Sequence, residues 1–288
     1  IPKPFDPRLM MKIAPAVAQA AFDSGVALRP IADMDAYRDQ LQTFVYASGT
    51  MMKPIFLAAK TAAKKRVAYA EGEEERVLRA AQIVVDERVA RPTLIGRPAV
   101  IAQRIAKFGL RLEEGRDYDV VNVEQDHRYH DFWHSYHRMT ERKGITEPIA
   151  KIEMRRRLTL IGSMMLHKGE VDGLIVGTWG HTSHHLNYID QVIGRRAGVA
   201  TYACMNGLLL PDRQVFLVDT HVNYDPDAEQ LAEITVMAAE EMLRFGVQPK
   251  AALLSHSNFG TSDQPSAIKM RRTLALLREQ APDRKSVV

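Results

Sequence analysis

The sequence predicts an α/β protein, a mostly parallel sheet with helices on both faces. Three observations carry this. Short apolar runs alternate with amphipathic stretches of helical period along most of the chain. Two of these runs, Val171-Asp-Gly-Leu-Ile-Val-Gly-Thr-Trp-Gly-His-Thr-Ser183 and Lys250-Ala-Ala-Leu-Leu-Ser-His-Ser-Asn-Phe-Gly-Thr-Ser262, enter a small polar glycine loop ahead of a helix. There is no solenoid repeat and no low-complexity stretch.

Taken in order, Met34, Tyr37, Leu41 and Phe44 recur at helical spacing, and Ala47-Ser-Gly-Thr50 with Pro54 breaks the pattern, which predicts a linker near residue 50. Beyond it, residues 67–70 read as a strand, 74–85 as a helix, 92–95 as a strand and 101–108 as a helix. Residues 119–123 read as extended, 126–140 and 149–166 as helices, 173–177 as a strand and 182–193 as a helix. A second group follows: strands at 200–203 and 215–219, a helix over 227–245, a strand at 251–255 and a helix over 266–280. The domain boundaries drawn from this reading are 1–49, 50–197 and 198–288.

With 288 residues, 46% of them hydrophobic, the chain can bury a substantial core in more than one lobe. No apolar segment reaches the roughly 20 residues of a membrane span, and the first residues lack the basic start and apolar centre of a signal peptide, so the expected location is cytoplasmic. Cys204, the only cysteine, excludes an internal disulfide and a cysteine-cluster metal site, and its apolar context reads as core. The net charge of +4 is spread among alternating acids and bases, which argues against a nucleic-acid partner and fits an anionic small ligand. Ile1-Pro-Lys-Pro-Phe-Asp-Pro-Arg8 has no initiating Met and reads as mid-protein sequence, so the chain is expected to be a piece of a longer polypeptide.

The two loops carry the chemistry. A strand of an open α/β sheet ends in a crevice where backbone N–H groups and the next helix's N-terminus can hold an anion, and two such loops point to an extended phosphorylated ligand such as a coenzyme. The competing reading is that small residues merely permit tight turns. His181, His184 and His185 could donate to a phosphate or pack the following helix. His127, His130, His134 and His137 fall near one helix face, but the interleaved Tyr129, Phe132, Trp133 and Tyr136, with no acidic partner at ligand spacing, favour a packed aromatic helix over zinc. Glu71, Glu73, Glu74 and Glu75 precede a helix whose positive end they would stabilise, and acid/base pairing among them stays open. Met164 and Met165 read as core.

Four segments occur in one order: Ala70-Glu-Gly-Glu-Glu-Glu-Arg76-Val-Leu-Arg-Ala-Ala81, the run 171–177, Asp225-Pro-Asp-Ala-Glu-Gln-Leu-Ala-Glu-Ile234 and Ala252-Leu-Leu-Ser-His-Ser257. Together they resemble the phosphate acetyltransferase (phosphotransacetylase) family over residues 60–280. The resemblance implies a two-lobed phosphotransacetylase-like fold, of the isocitrate/isopropylmalate dehydrogenase kind. Residues 1–31, up to Gly25-Val-Ala-Leu-Arg-Pro-Ile31, instead resemble the end of the NAD(P)-binding domain of bacterial malic enzymes. That combination is similar to the C-terminal portion of the large NADP-dependent malic enzymes. It implies a parent reaction, oxidative decarboxylation of malate to pyruvate and CO2 with NADP and Mg or Mn bound upstream of Ile1.

Departures from the transferase pattern qualify the resemblance. Active phosphotransacetylases carry a Leu-Arg-Lys-x-Lys-Gly-(Ile/Met)-Thr segment whose arginine helps hold CoA, and here Thr140 stands at that arginine in Met139-Thr-Glu-Arg142-Lys143-Gly-Ile-Thr146. A second family arginine corresponds to Asn187. Losing two guanidinium groups removes charge-assisted contacts worth about 1.5 to 3 kcal/mol each. Asn258 replaces a usual threonine, Asp263 would repel a phosphate, and the family's final catalytic segment would lie beyond Val288.

The expectation is therefore a regulatory acetyl-CoA-sensing domain without transferase activity, the coenzyme lying between two lobes and the protein forming a homo-oligomer with its upstream malic-enzyme catalytic domain. The ligand groups would be His181, Thr182, Ser183 and Asn187, then Ser255, Ser257, Gly260, Thr261 and Ser262, with Arg142 and Lys143 near the nucleotide phosphates. The alternative is an active phosphate acetyltransferase that converts acetyl-CoA and phosphate to acetyl phosphate and CoA. A third is an assembly module with a vestigial pocket.

Overall fold

In the computed structural model of the chain, residues 7–29, 31–45, 49–210 and 213–280 are described. The sequence readings at 1–6, 46–48 and 281–288 lie outside them. Three helices come first, α1 (Pro7–Asp23), α2 (Met34–Val45) and α3 (Gly49–Thr61). α3 runs through the position where the sequence predicts a linker, with Pro54 inside it. The chain divides into two compact units, Phe56–Tyr202 and Ile1–Ile55 with Ala203–Val288.

In the unit Phe56–Tyr202, four strands are all parallel: β1 (Lys65–Tyr69), β2 (Ala90–Gly96), β3 (Asp119–Asn122) and β4 (Gly173–Ile175), in the spatial order β3-β2-β1-β4. Alternate side chains of each strand leave on opposite faces. Ala68, Ile95 and Val121 join one core with the helices α6 (Tyr129–Thr140), α7 (Glu147–Arg156), α8 (Leu158–His167) and α9 (Thr182–Val192). Tyr69 and Leu94, with Val67 and Val120 against them, join the other core with α4 (Glu75–Asp86) and α5 (Pro98–Lys107). The sheet is thus covered on both faces, as the apolar runs of its strands require.

The helices start and stop for local reasons. The Glu74 side chain accepts from the N–H groups of Arg76 and Val77 and caps α4. Asp126 Oδ1 accepts from the Arg128 N–H at 2.9 Å, so α6 begins at Tyr129, three residues after its predicted start. The predicted single helix over 149–166 is two helices, because Arg157 is extended (φ −110°, ψ 96°). That break re-aims α8, whose residues 159–165 are all buried, Met164 and Met165 among them as predicted.

In the other unit, β5 (Met205–Leu209) and β6 (Gln214–Val218) pair antiparallel, and α10 (Ala228–Arg244) packs with α11 (Pro265–Gln280), with Ala228, Ala232, Ala267 and Leu277 buried. A capping box at Asp227 and Gln230 starts α10. Two predicted strands are corrected. Residues 200–203, where the unit Phe56–Tyr202 ends, are irregular, the Tyr202 hydroxyl being committed to Asp190 at 3.0 Å, and residues 251–255 of the other unit are irregular too. Cys204 is half-buried rather than core, since its N–H is tied to Asp219 Oδ1 at the end of the hairpin. No helix among the described residues is long and apolar enough to cross a membrane.

Candidate functional site

The strand order puts a topological switch point between β1 and β4. From β1 the chain passes by α4 to β2, whereas from β4 it passes into α9 on the opposite face, so the turns after these adjacent strands diverge at the carboxyl ends, the place where open α/β sheets bind ligands. The four glutamates follow β1 in the turn and the start of α4. Gly72 lies so close to β2 that a Cβ would sit 2.8 Å from both the N and O of Ile95. Glu73 accepts from the Arg97 N–H at 2.9 Å and from its guanidinium at 2.8 Å twice. Those Arg97 side-chain hydrogen bonds hold its carboxyl below the usual range against the opposing effect of burial. Glu74 is the α4 cap, as the macrodipole argument anticipates. Glu71 differs from both. It is only 4% exposed, and its Oε1 accepts from the Gly177 N–H at 3.0 Å, which ties the turn after β1 to the turn after β4.

The turn after β4 is held from its far side by His185. The Trp179 carbonyl can only accept, so His185 Nε2 carries the hydrogen in that 2.6 Å contact, and Nδ1 accepts from the Thr159 hydroxyl at 2.7 Å. Both ring nitrogens are thereby used in packing, which removes His185 from the possible phosphate donors. Gly180 (φ +92°) lets the backbone pass the ring, where a Cβ would stand 3.2 Å from Nε2. α9 then opens at Thr182, with no capping bond from the His181 side chain. Among the described residues the N–H groups of Thr182 and Ser183 meet no acceptor. Exposed first-turn N–H groups at the positive end of an 11-residue helix can bind an anion. His181 and His184, both exposed, stand edge to face beside them at 5.8 Å.

The second loop belongs to the other unit and closes on itself. Ser255 Oγ accepts from the Ser257 N–H at 3.1 Å, Ser257 Oγ accepts from the Ser262 N–H at 2.9 Å, and His256 stands between the hydroxyls of Ser262 (3.2 Å) and Ser266 (3.0 Å). Thr261 donates to the Asn258 carbonyl. Arg271 of α11, which sequence reasoning missed, donates to the carbonyls of Gly260 and Ser262 and to Asp263. Asp263 is thus paired with a cation rather than left to repel a ligand. Nothing in the sequence marks Arg271, which precedes another arginine on an ordinary helix.

The remaining expectations disperse. Of the helix histidines, His127, His130 and His134 are exposed while Phe132, Trp133 and Tyr136 are buried, so the aromatic positions do the packing. No group of three or more His, Cys, Asp or Glu among the described residues could hold a metal ion.

The family model described as phosphate acetyl/butaryl transferase matches residues 50–287. The chain belongs to this family. An NADP-dependent malic enzyme of Escherichia coli (strain K12) is 53% identical over 98% of this chain, and one from Salmonella typhimurium is 54% identical over the same share. The chain spans 37% of the length of each. A phosphate acetyltransferase of Synechocystis is 32% identical over 78% of this chain and 32% of its own length. Among solved structures, a phosphotransacetylase from Streptococcus pyogenes superposes with a TM-score of 0.72 at 24% identity, covering 83% of this chain and 71% of that one, a likeness of fold.

Of the positions compared with the phosphate acetyl/butaryl transferase pattern, Thr140 is fully buried and its hydroxyl donates to the Tyr136 carbonyl at 2.7 Å. Asn187 is exposed and accepts from Gln191 at 3.2 Å. Arg142 and Lys143 are exposed on a short 3-10 turn after α6.

Proposed function

We propose that this chain is the acetyl-CoA-responsive regulatory portion of an NADP-dependent malic enzyme and carries no acetyl transfer of its own. The observation that carries the reading is the difference in coverage. Malic enzymes match 98% of the chain at 53% identity, whereas a phosphate acetyltransferase matches 78% at 32%. The free first turn of α9 supports an anionic ligand. The burial of Thr140 supports the absence of transfer chemistry, since an arginine is what the family places there.

In this reading the rest of a longer polypeptide oxidatively decarboxylates malate to pyruvate and CO2 with NADP and Mg or Mn, and the whole assembles as a homo-oligomer. Among the described residues no group of three or more His, Cys, Asp or Glu could hold that metal. Regulation then requires that acetyl-CoA bind two states of the protein with different affinity. A coupled assay with acetyl phosphate and CoA tests the claim: the expected result is no turnover above buffer. Sustained acetyl-CoA formation would instead favour the second reading, an active phosphate acetyltransferase, which the Synechocystis relative suggests.

A further inference from the structure

We propose that Ser266 is an acyl acceptor, a serine activated by His256 that takes an acyl group from a thioester or an acyl phosphate. The proposal goes beyond the regulatory reading above and does not depend on it. It rests on a nucleophilic cluster in the unit that includes Ala203–Val288. The His256 imidazole stands between two hydroxyls, with Nδ1 3.0 Å from Ser266 Oγ and Nε2 3.2 Å from Ser262 Oγ. A neutral imidazole carries one N–H and one bare nitrogen, so it donates to one serine and accepts from the other. Ser262 Oγ already accepts the Gln264 N–H at 3.2 Å, and taking Nε2–H as well fills both its lone pairs. Ser266 then donates to Nδ1. Its oxygen is exposed and has no other partner among the described residues, which leaves its lone pairs open for attack.

A hydroxyl within reach of a base that a third group orients is the arrangement of nucleophilic catalysis. The third group, Ser262, is itself fixed. Its N–H donates to Ser257 Oγ at 2.9 Å and its carbonyl accepts from Arg271 at 2.6 Å, so the oxygen that orients His256 is held on both sides. Ser266 rides on the first turn of α11, which is anchored by the buried Ala267, Thr273 and Leu277. The Ser266 N–H donates to nothing among the described residues and is left to stabilise the oxyanion that attack creates. In the step, the bond from Ser266 Oγ to the acyl carbon forms and the bond from that carbon to sulfur or to phosphate oxygen breaks. The hydroxyl proton passes to His256 Nδ1 and from there to the leaving group. One acetyl group held per chain is not turnover, so the step is compatible with a chain that makes no acetyl-CoA.

Acetyl-CoA and acetyl phosphate, incubated separately with the wild-type chain and with His256→Asn, test this, the acetylated position being read by peptide mass spectrometry. Asparagine keeps a hydrogen-bonding group where Nδ1 stands and removes the base. The expected result is acetylation of Ser266 by at least one donor, about a hundredfold slower in the variant. The donor that labels Ser266 identifies the leaving group as a thiol or a phosphate. No acetyl group on Ser266 from either donor, or equal rates in the wild-type chain and the folded variant, overturns the proposal. Labelling by acetyl phosphate alone upholds the role of Ser266 even where the acetyl-CoA reading fails. Should His256→Asn not fold, His256→Gln takes its place with the same expected loss.

Discussion

Gly72→Ala is expected to lower the stability of the unit Phe56–Tyr202 by about 3 kcal/mol, seen as a fall of roughly 10 °C in the thermal midpoint. The added methyl would lie 2.8 Å from the N and O of Ile95 and 2.9 Å from Leu94 Cβ, distances that real Cβ atoms do not adopt. Two of the three obstacles are backbone atoms of β2, which is held by hydrogen bonds to β1 and β3, so no rotamer change relieves the clash. The turn after β1 must move instead, losing the Gly72 N–H to Ile95 carbonyl bond and displacing Glu71 from Gly177. Gly177→Ala, where a Cβ meets nothing within 4 Å, serves as the comparison for strain alone, since its φ of +117° is unfavourable for any other residue. An unchanged midpoint for Gly72→Ala would mean that the packing of this turn on β2 is wrongly described.

Arg128→Met is expected to cost about 2 to 4 kcal/mol at neutral pH, measured by chemical denaturation. The guanidinium lies between two carboxylates: Nε and Nη2 donate to Asp126 at 2.8 and 2.6 Å, and Nη1 donates to Glu170. It is only 23% exposed and carries the Phe132 ring beneath it at 5.6 Å. Burial pushes the Asp126 carboxyl up, but hydrogen bonds from the Arg128 side chain and N–H outweigh this and hold it below its ordinary value. A carboxyl with a depressed folded pKa contributes stability that is fully present above the unfolded value, near 3.9, and is lost as pH falls through the folded one. The wild-type chain should therefore lose stability steeply in that acid range. In Arg128→Met the slope should flatten, because the favourable partner is gone. Parallel acid profiles for the two proteins would refute this account of Asp126.

The parallel sheet was legible because strands buried on both faces must be apolar runs, and the turn residues around 67–70, 92–95 and 173–177 bound them clearly. The second unit was less so. Met205-Asn-Gly-Leu-Leu209 contains a glycine and an asparagine and lacks alternation, so β5 gave no signal, while the apolar runs at 200–203 and 251–255 imitated strands without pairing. Both loops were visible as glycine- and serine-rich sequence, but not their division of labour. Four neighbouring glutamates look alike in sequence, and only burial separates Glu71 from the three that meet arginines. Likewise three histidines near one loop read as equivalent donors, whereas contacts with Thr159 and Trp179 from both sides commit His185 to the scaffold. Arg271 was hidden because its contact with Gly260 and Ser262 depends on where α11 lies, which no local pattern encodes.

The most direct measurement is titration of the folded wild-type chain with acetyl-CoA while the backbone amide resonances of Thr182, Ser183 and Gly177 are followed. Saturable shifts at Thr182 and Ser183, accompanied by binding heat, are the predicted result. A folded chain that gives neither heat nor any shift at the first turn of α9 would contradict the account.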